Sequence, residues 1–467
     1  MTSPSTPLAQ PAPDDVIRRA AALRETLSRG FRDEAVRSLY SEASRIADRA
    51  TVRDGTRLDM DQRIDRVVTS PVFGLPIMAL LLAVIFWLTV AGANVPSAML
   101  AEALFWLEGQ GVRLFEAIGM PWWITGFLWN GVYRGLAWVV SVMLPPMAIF
   151  FPMFTILEDL GYLPRVAFNL DFLFRSAGAH GKQALSMAMG FGCNAAGIIA
   201  TRVIDSPRER LVAILTNNFV PCNGRFPTLI MVATIFVGAA FPPALASLAA
   251  AGAVVGVVLI GVGVTLAVSW ALSRTILKGE ASAFTLELPP YRRPGILRII
   301  YTSLIDRTLF VLWRAMLTAA PAGAVIWILA NIQAGDASLA QHTADFLGPL
   351  GRAIGLDGAV LLAYIIAIPA NEIVVPTMMM MYMGVGMMTE VESMDTIRGI
   401  LVDQHGWTLL TAINLMLFSL LHNPCATTII TIYKETLSVK WTTIGTLLPL
   451  GLAFLVTFLV ATIWRMF

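Results

Sequence analysis

Charge is scarce in this sequence: Asp, Glu, Lys and Arg make up only 14% of its 467 residues, while 57% are apolar. Soluble domains carry about 25% charged and about 45–50% apolar residues, so this composition excludes a water-soluble globular protein and points to the membrane. The net charge of +2 is too small for an extended basic face, and no basic cluster is interleaved with aromatics, which excludes nucleic acid as a partner. Cysteine is scarce as well. There are three, an odd number, all in or beside apolar stretches, so a secreted disulfide framework is excluded and the thiols are free or act as ligands. No GxxxxGK[ST] stretch occurs, so the sequence has no loop of the kind that cradles nucleotide phosphates. The start of the chain lacks an apolar core: residues 1–13, MTSPSTPLAQPAP, read as a disordered tail rather than a signal peptide.

Residues 14–70 are charged and helix-favouring, with twelve Arg against eleven Asp plus Glu up to Ser70; they predict a helical extension on the cytoplasmic side. Apolar runs of the length a bilayer requires, about 20 residues, begin at Gly74 (GLPIMALLLAVIFWLTVAGA) and recur over 132–157, 185–203, 221–239, 243–273, 309–331, 357–384, 407–422 and 442–463. The amphipathic stretches 98–118 and 296–308 are candidates to lie along the interface. The expected fold is an all-α polytopic membrane protein of about eight to ten spanning or re-entrant helices. Its parts are a first membrane half over 71–275, a polar loop over 276–295 and a second half over 296–467. Lys278, Arg292, Arg293 and Arg298 place that loop on the same side as the Arg-rich N-terminus.

Interrupted helices mark the places where function is expected. In the first half Gly190, Gly192 and Gly197 surround Cys193-Asn194, and NNFVPCNGRFP follows with Cys222 and Asn223. In the second, Pro369 and Pro376 surround Asn371-Glu372, and LLHNPCATTIITIYKE follows with His422, Asn423 and Cys425. Each half thus pairs a broken helix with a later Pro-Cys segment, the pattern of a duplicated unit. Proline and glycine free backbone groups from the helical ladder, and in hydrocarbon such groups are tolerated only inside protein or beside a water-filled cavity. Breaks at corresponding places in two halves therefore point to a transport site near the midplane. The donors there are sulfur, amide oxygen, a carboxylate and an imidazole, a set that suits late first-row metals better than magnesium or calcium. Glu372, a carboxylate within a span, is by default functional. Bland readings stand beside these: cysteines as small buried hydrophobes, asparagines as interhelical links, Glu372 in a structural ion pair, His422 as a packing residue, the Met378–Met388 run as gap filler, and Arg202, Arg208 and Arg210 as interfacial anchors.

From about 60 to 450 the sequence resembles the membrane domain of FeoB-type ferrous-iron transporters, with its two gate, or nucleoside-recognition-like, segments. The matching stretches are DQRIDRVVTSPVFGLPI (61–77), ILEDLGYLPRVAF (156–168), GAHGK (178–182), GFGCNAAGIIATR (190–202), PCNGRFP (221–227), ELPPYRRP (287–294), PANEIVV (369–375) and NPCATTIITIYKE (423–435). The resemblance implies Fe2+ as cargo, no cofactor or catalytic residue, and Cys193, Asn194, Cys222, Glu372 and Cys425 as the metal site. It also implies a bacterial-type inner membrane, and as partners a separate GTPase, a FeoA-type accessory protein and further copies of the chain. Such chains usually begin with a GTP-binding domain; only 73 residues precede the first apolar run here, so GTP hydrolysis is expected from another protein. The motifs depart from the family pattern at Ala195-Ala196 (usually Val-Pro), at Pro221 and Gly224 (usually Ser and Ala) and at Asn371 (usually Lys), which bears on selectivity. A transporter of nucleosides or other organic solutes, and a non-transporting subunit of a larger assembly, are the competing readings.

Overall fold

A computed structural model describes residues 19, 31–50, 55–70, 72–278, 289–389 and 393–466; the expected tail over 1–13 and part of the polar loop over 276–295 lie outside these. Two compact units are distinguished, one ending at Gln62 and one formed by Arg63–Ala281 with Leu288–Phe467. In the first, helix Phe31–Ala50 is a solvated, charged helix with a Glu42–Arg45 pair at 2.5 Å. The second contains both predicted membrane halves.

Among the described residues, six helices of this second unit are long and apolar enough to cross a bilayer: Gly74–Ala117, Trp122–Asp159, Leu245–Arg274, Ile296–Asn331, Leu409–Thr436 and Val439–Met466. A seventh element is the pair Leu339–Ala353 and Gly358–Ile366, bent by 110°. Shorter helices, among them Gln183–Gly192, Asn194–Ala200 and Phe226–Ala240, lie between these spans, as the all-α reading expects. The strands among the described residues are a two-residue hairpin pairing Gln333 with Ser338.

Both candidate interfacial stretches prove to be parts of longer helices. Residues 98–118 continue helix Gly74–Ala117 through Pro96, about 66 Å of helix at 1.5 Å per residue, against a hydrocarbon core of about 30 Å. One carboxylate of their polar face is turned into protein: Glu108, 4% exposed, pairs with Arg134 at 3.2 Å, while Glu102, Arg113 and Glu116 remain exposed. Residues 296–308 run through a wide turn at Thr302–Leu309 into the following helix, and Ser303 and Arg307 bond Thr155 at 3.1 and 2.9 Å. In each case at least one polar side chain of the stretch finds its partner within the protein.

Lipid tails are as apolar as leucine, so helices in a bilayer associate through close packing and polar contacts. Gly131 and Gly135 of Trp122–Asp159 meet Ala319 and Gly323 of Ile296–Asn331. A Cβ on Gly135 would sit 3.0 Å from the Gly323 Cα and 3.1 Å from the Ala319 carbonyl, closer than any larger side chain allows. This contact sets two long helices against each other beside the candidate site.

Outside the spans, Asp65 fastens three segments. Arg165, 1% exposed, donates to both its carboxylate oxygens at 3.0 and 3.1 Å and to the Gly161 and Pro289 carbonyls. The Tyr291 hydroxyl adds a bond to Asp65 at 2.9 Å, and the Arg165 guanidinium lies 4.3 Å from the Tyr291 ring. Burial works to raise the Asp65 carboxyl, but the Arg165 and Tyr291 bonds outweigh it and hold the group below its ordinary 3.8. A lowered carboxyl stabilises the fold fully above its unfolded value, and that contribution is lost as pH falls through the folded value. Asp65→Asn is therefore expected to cost about 3 kcal/mol at neutral pH. Melting curves of the two proteins should converge under acid; a gap that does not narrow would show that the carboxylate's charge is not what holds these segments.

Candidate functional site

Four chain breaks meet in the second unit. Gln183–Gly192 gives way to Asn194–Ala200 at Cys193, and the turn Asn217–Phe219 gives way to Phe226–Val232 over 220–225. In the other half Gly358–Ile366 stops before Asn371–Ile373, and Leu409–Leu421 stops before Ala426–Thr436. The duplication is visible in the backbone. Cys193 has φ −152° and ψ 124°, and Ala370, which holds the same place before Asn371, has φ −153° and ψ 120°. Both are extended residues that carry the chain out of one helix and start the next.

Cys193, Asn194, Cys222, Glu372 and Cys425, the five predicted site residues, line one cavity. It encloses about 30 Å³, space for a water or two. Cys222 is 8% exposed, with its sulfur 4.0 Å from the Asn371 amide nitrogen, and the Cys425 sulfur lies 3.2 Å from the Thr428 hydroxyl. Cys193, Glu372 and Cys425 each stand at the start of a helical segment, where the peptide dipoles place partial positive charge beside groups whose metal-binding forms are anionic. Among the described residues no three His, Cys, Asp or Glu side chains are close enough to hold one metal ion together. The thiols come from three separate breaks, so binding one ion requires the breaks to draw together.

Asn194 lines the cavity and is also engaged with its neighbours. Its amide lies 3.3 Å from that of Asn218, and turned to satisfy its nitrogen it donates to the Gly190 and Val220 carbonyls at 3.2 and 3.3 Å. The side chain fastens one break to the next. His422, 2% exposed, is also fully engaged: Nδ1 lies 2.8 Å from the Ser419 carbonyl and Nε2 3.2 Å from the Asn371 amide, which fits the packing reading. Met378, Met379 and Met380 are at most 1% exposed in the apolar core and do not line the cavity; they fill gaps. Arg202 and Arg210 grip Glu435 at 2.6 and 2.5 Å, and Arg208 bonds the Leu277 and Gly178 carbonyls; this group ties segments together and is more than an interfacial anchor.

Sequence reasoning missed three participants. Met143 and Met147 reach the cavity from helix Trp122–Asp159 on either side of Pro145-Pro146. Two adjacent prolines within a span free two backbone carbonyls, and that signal was available in the sequence. The third is Arg225, 1% exposed, whose guanidinium donates to the Asn218 and Leu420 carbonyls at 2.8 Å each and to the His422 carbonyl at 3.2 Å. It crosslinks the ends of one broken helix from each half.

Gly224 makes room for the carboxylate. A Cβ there would overlap the Glu372 side chain. Gly224→Ala is expected to displace that carboxylate and reduce metal binding about as far as Glu372→Gln does; full binding by the alanine variant would show that the carboxylate's seat is immaterial.

The family described as "Gate: Nucleoside recognition" matches residues 140–236 and 312–438, and "Ferrous iron transport protein B C terminus" matches residues 254–306. The Fe(2+) transporter FeoB of Staphylococcus aureus (strain MSSA476) is 28% identical over 97% of this chain and 67% of its own length. That of Campylobacter jejuni is 27% identical over 86% and 65%. A Porphyromonas gingivalis protein named as a fusion of Fe(2+) transport protein A and Fe(2+) transporter FeoB is 27% identical over 94% and 54%. The chain thus spans between about half and two thirds of these relatives' lengths. No solved structure matches it. Two gate segments, one in each half, and the FeoB C-terminal segment between them lie in one polytopic helical chain, which is similar over most of its length to proteins named Fe(2+) transporter FeoB.

Proposed function

We propose that this chain carries a divalent metal ion, Fe2+, across the membrane through the cavity at its four helix breaks. The observation that carries this reading is that all three cysteines of the sequence and Glu372, from separate breaks, line one cavity. Thiolates and the carboxylate would replace the ion's hydration shell, with Met143 and Met147 adding soft sulfur. Asn194 and Arg225 position the breaks. Relative movement of the two halves then exposes the site to each side in turn.

The names of the relatives support the cargo. The competing organic-solute reading is disfavoured by size: about 30 Å³ is far below the roughly 300–1,000 Å³ of small-molecule sites. Where transport is coupled to GTP hydrolysis, the phosphate-cradling loop lies outside these 467 residues. The P. gingivalis fusion supports an accessory partner of the transport-protein-A type. We place the chain in the inner (plasma) membrane with its N-terminus in the cytoplasm, on the basic residues noted above.

The test is anaerobic Fe2+ entry into liposomes containing only this chain, with Mn2+, Zn2+ and a nucleoside as competitors. Saturable entry, inhibited by the metals and not by the nucleoside, is expected. Entry that only the nucleoside suppresses would favour the organic-solute reading, and no entry even with a GTPase added would sink the metal reading.

A further inference from the structure

A second cavity, of about 670 Å³, adjoins the metal cavity, with Val311 lining both. Four basic side chains border it, Arg202, Arg307, Arg314 and Lys434, against two acidic ones, Glu158 and Glu435, an excess of two positive charges. Both carboxylates are already committed. Glu435 is held by Arg202 and by Arg210, and Glu158 pairs with Arg307 at 3.3 Å. Arg314 and Lys434 have no carboxylate partner among the described residues.

Arg314 is the informative one. It stands within the apolar span Ile296–Asn331, half-buried, its guanidinium 4.0 Å from the Phe310 ring and a long 3.5 Å from the Thr431 hydroxyl. Neither contact neutralises a cation, and an ionised side chain inside a span is costly unless something of opposite sign accompanies it. Lys434 lies three residues beyond Thr431 on helix Ala426–Thr436, on the same helical face, so its ammonium faces the same space. A passage bordered in this way also repels a bare divalent cation unless an anion is present.

We propose that this vestibule is a binding site for a phosphate-group anion held by Arg314 and Lys434. Its negative charge, up to two on a soluble phosphate and one on a phosphodiester headgroup, would offset the excess in whole or in part, and its oxygens would accept from the guanidinium fork and the ammonium together. The source is either a soluble phosphate or the headgroup of a phospholipid, whose chain would lie along Phe154, Leu163 and Phe310 on the cavity wall. The inference rests on the cavity's own charges and stands whether or not the metal reading does.

The experiment uses the full chain, purified in phosphate-free detergent, with Arg314→Gln, Lys434→Gln and, as an outside control, Lys440→Gln. One arm titrates inorganic phosphate and follows binding by calorimetry; the other measures phospholipid retained per chain by mass spectrometry. Phosphate binding at least tenfold weaker in Arg314→Gln and Lys434→Gln, with Lys440→Gln unchanged, is the expected result for a soluble ligand. Retained phospholipid lost from the same two variants is the expected result for a lipid. Absence of bound phosphate in both arms, or equal binding by Lys434→Gln and the unaltered protein, overturns the proposal. Lys434 is exposed, so its variant decides alone if Arg314→Gln fails to fold.

Discussion

Arg225→Met is expected to destabilise the protein by on the order of 5 kcal/mol and to abolish metal flux with it. The guanidinium has no carboxylate partner among the described residues; it is balanced by backbone carbonyls at Asn218, Leu420 and His422 and by the Asn218 side chain at 3.2 Å. These carbonyls belong to Asn218 and Leu420, in the last turns of helical segments that stop at Phe219 and Leu421, and to His422, the extended residue that follows the second. Helix ends carry unpaired carbonyls and partial negative charge, and here two such ends meet where water does not reach. Methionine fills the space but donates nothing, so each stranded carbonyl costs about 1–3 kcal/mol. Lysine keeps the charge without the planar fork and should fall between the two. Thermal unfolding in detergent measures this, and a melting temperature unchanged in Arg225→Met would remove Arg225 from the account of how the halves are joined.

Glu372→Gln is expected to lower Fe2+ flux at least about tenfold, since even residues that only support metal ligands give losses of about 10–100-fold. Glutamine keeps the shape and hydrogen-bonding capacity of the side chain and removes its charge, so the fold should be retained and the melting temperature should hold. The matching experiment on the thiols is replacement of Cys193, Cys222 and Cys425 by serine, singly and together. Anaerobic Co2+ serves as the spectroscopic probe: a sulfur-to-metal charge-transfer band is expected in the unaltered protein and is expected to vanish in the triple variant. A band that survives the triple replacement would move the site away from these cysteines, and flux that survives Glu372→Gln would make that carboxylate structural.

The cavity depends on features of two kinds. Cys193-Asn194 and Asn371-Glu372 could be singled out in the sequence because Gly and Pro interrupt an apolar run around them, and an interrupted helix in hydrocarbon has to be sheltered by protein. Met143 and Met147 carried the same kind of signal in Pro145-Pro146, though their helix continues through the prolines. Arg225 had no such signal. In the sequence it is one arginine beside a Pro-Cys motif, and its role depends on Leu420 and His422, nearly 200 residues away, stopping at the same point in space. The amphipathic stretch at 98–118 was legible only in part for a related reason: amphipathicity shows that a helix has a polar face, and only the position of Arg134 decides that Glu108 on that face meets protein.

The sequence by itself determined that this is a polytopic helical membrane protein, built twice over, with cysteine, amide and carboxylate at its interruptions. Hydropathy and backbone hydrogen bonding in lipid are local demands, met or violated within a single span. Tertiary structure alone decided that the separate breaks open on one cavity, that Arg225 rather than a carboxylate joins the helix ends, and that Arg314 is left beside a second cavity without a counter-charge. Those facts depend on which helix ends come together, and helix–helix contacts in a bilayer are set by close packing at sites such as Gly135 and Gly323 rather than by the order of residues along any one helix.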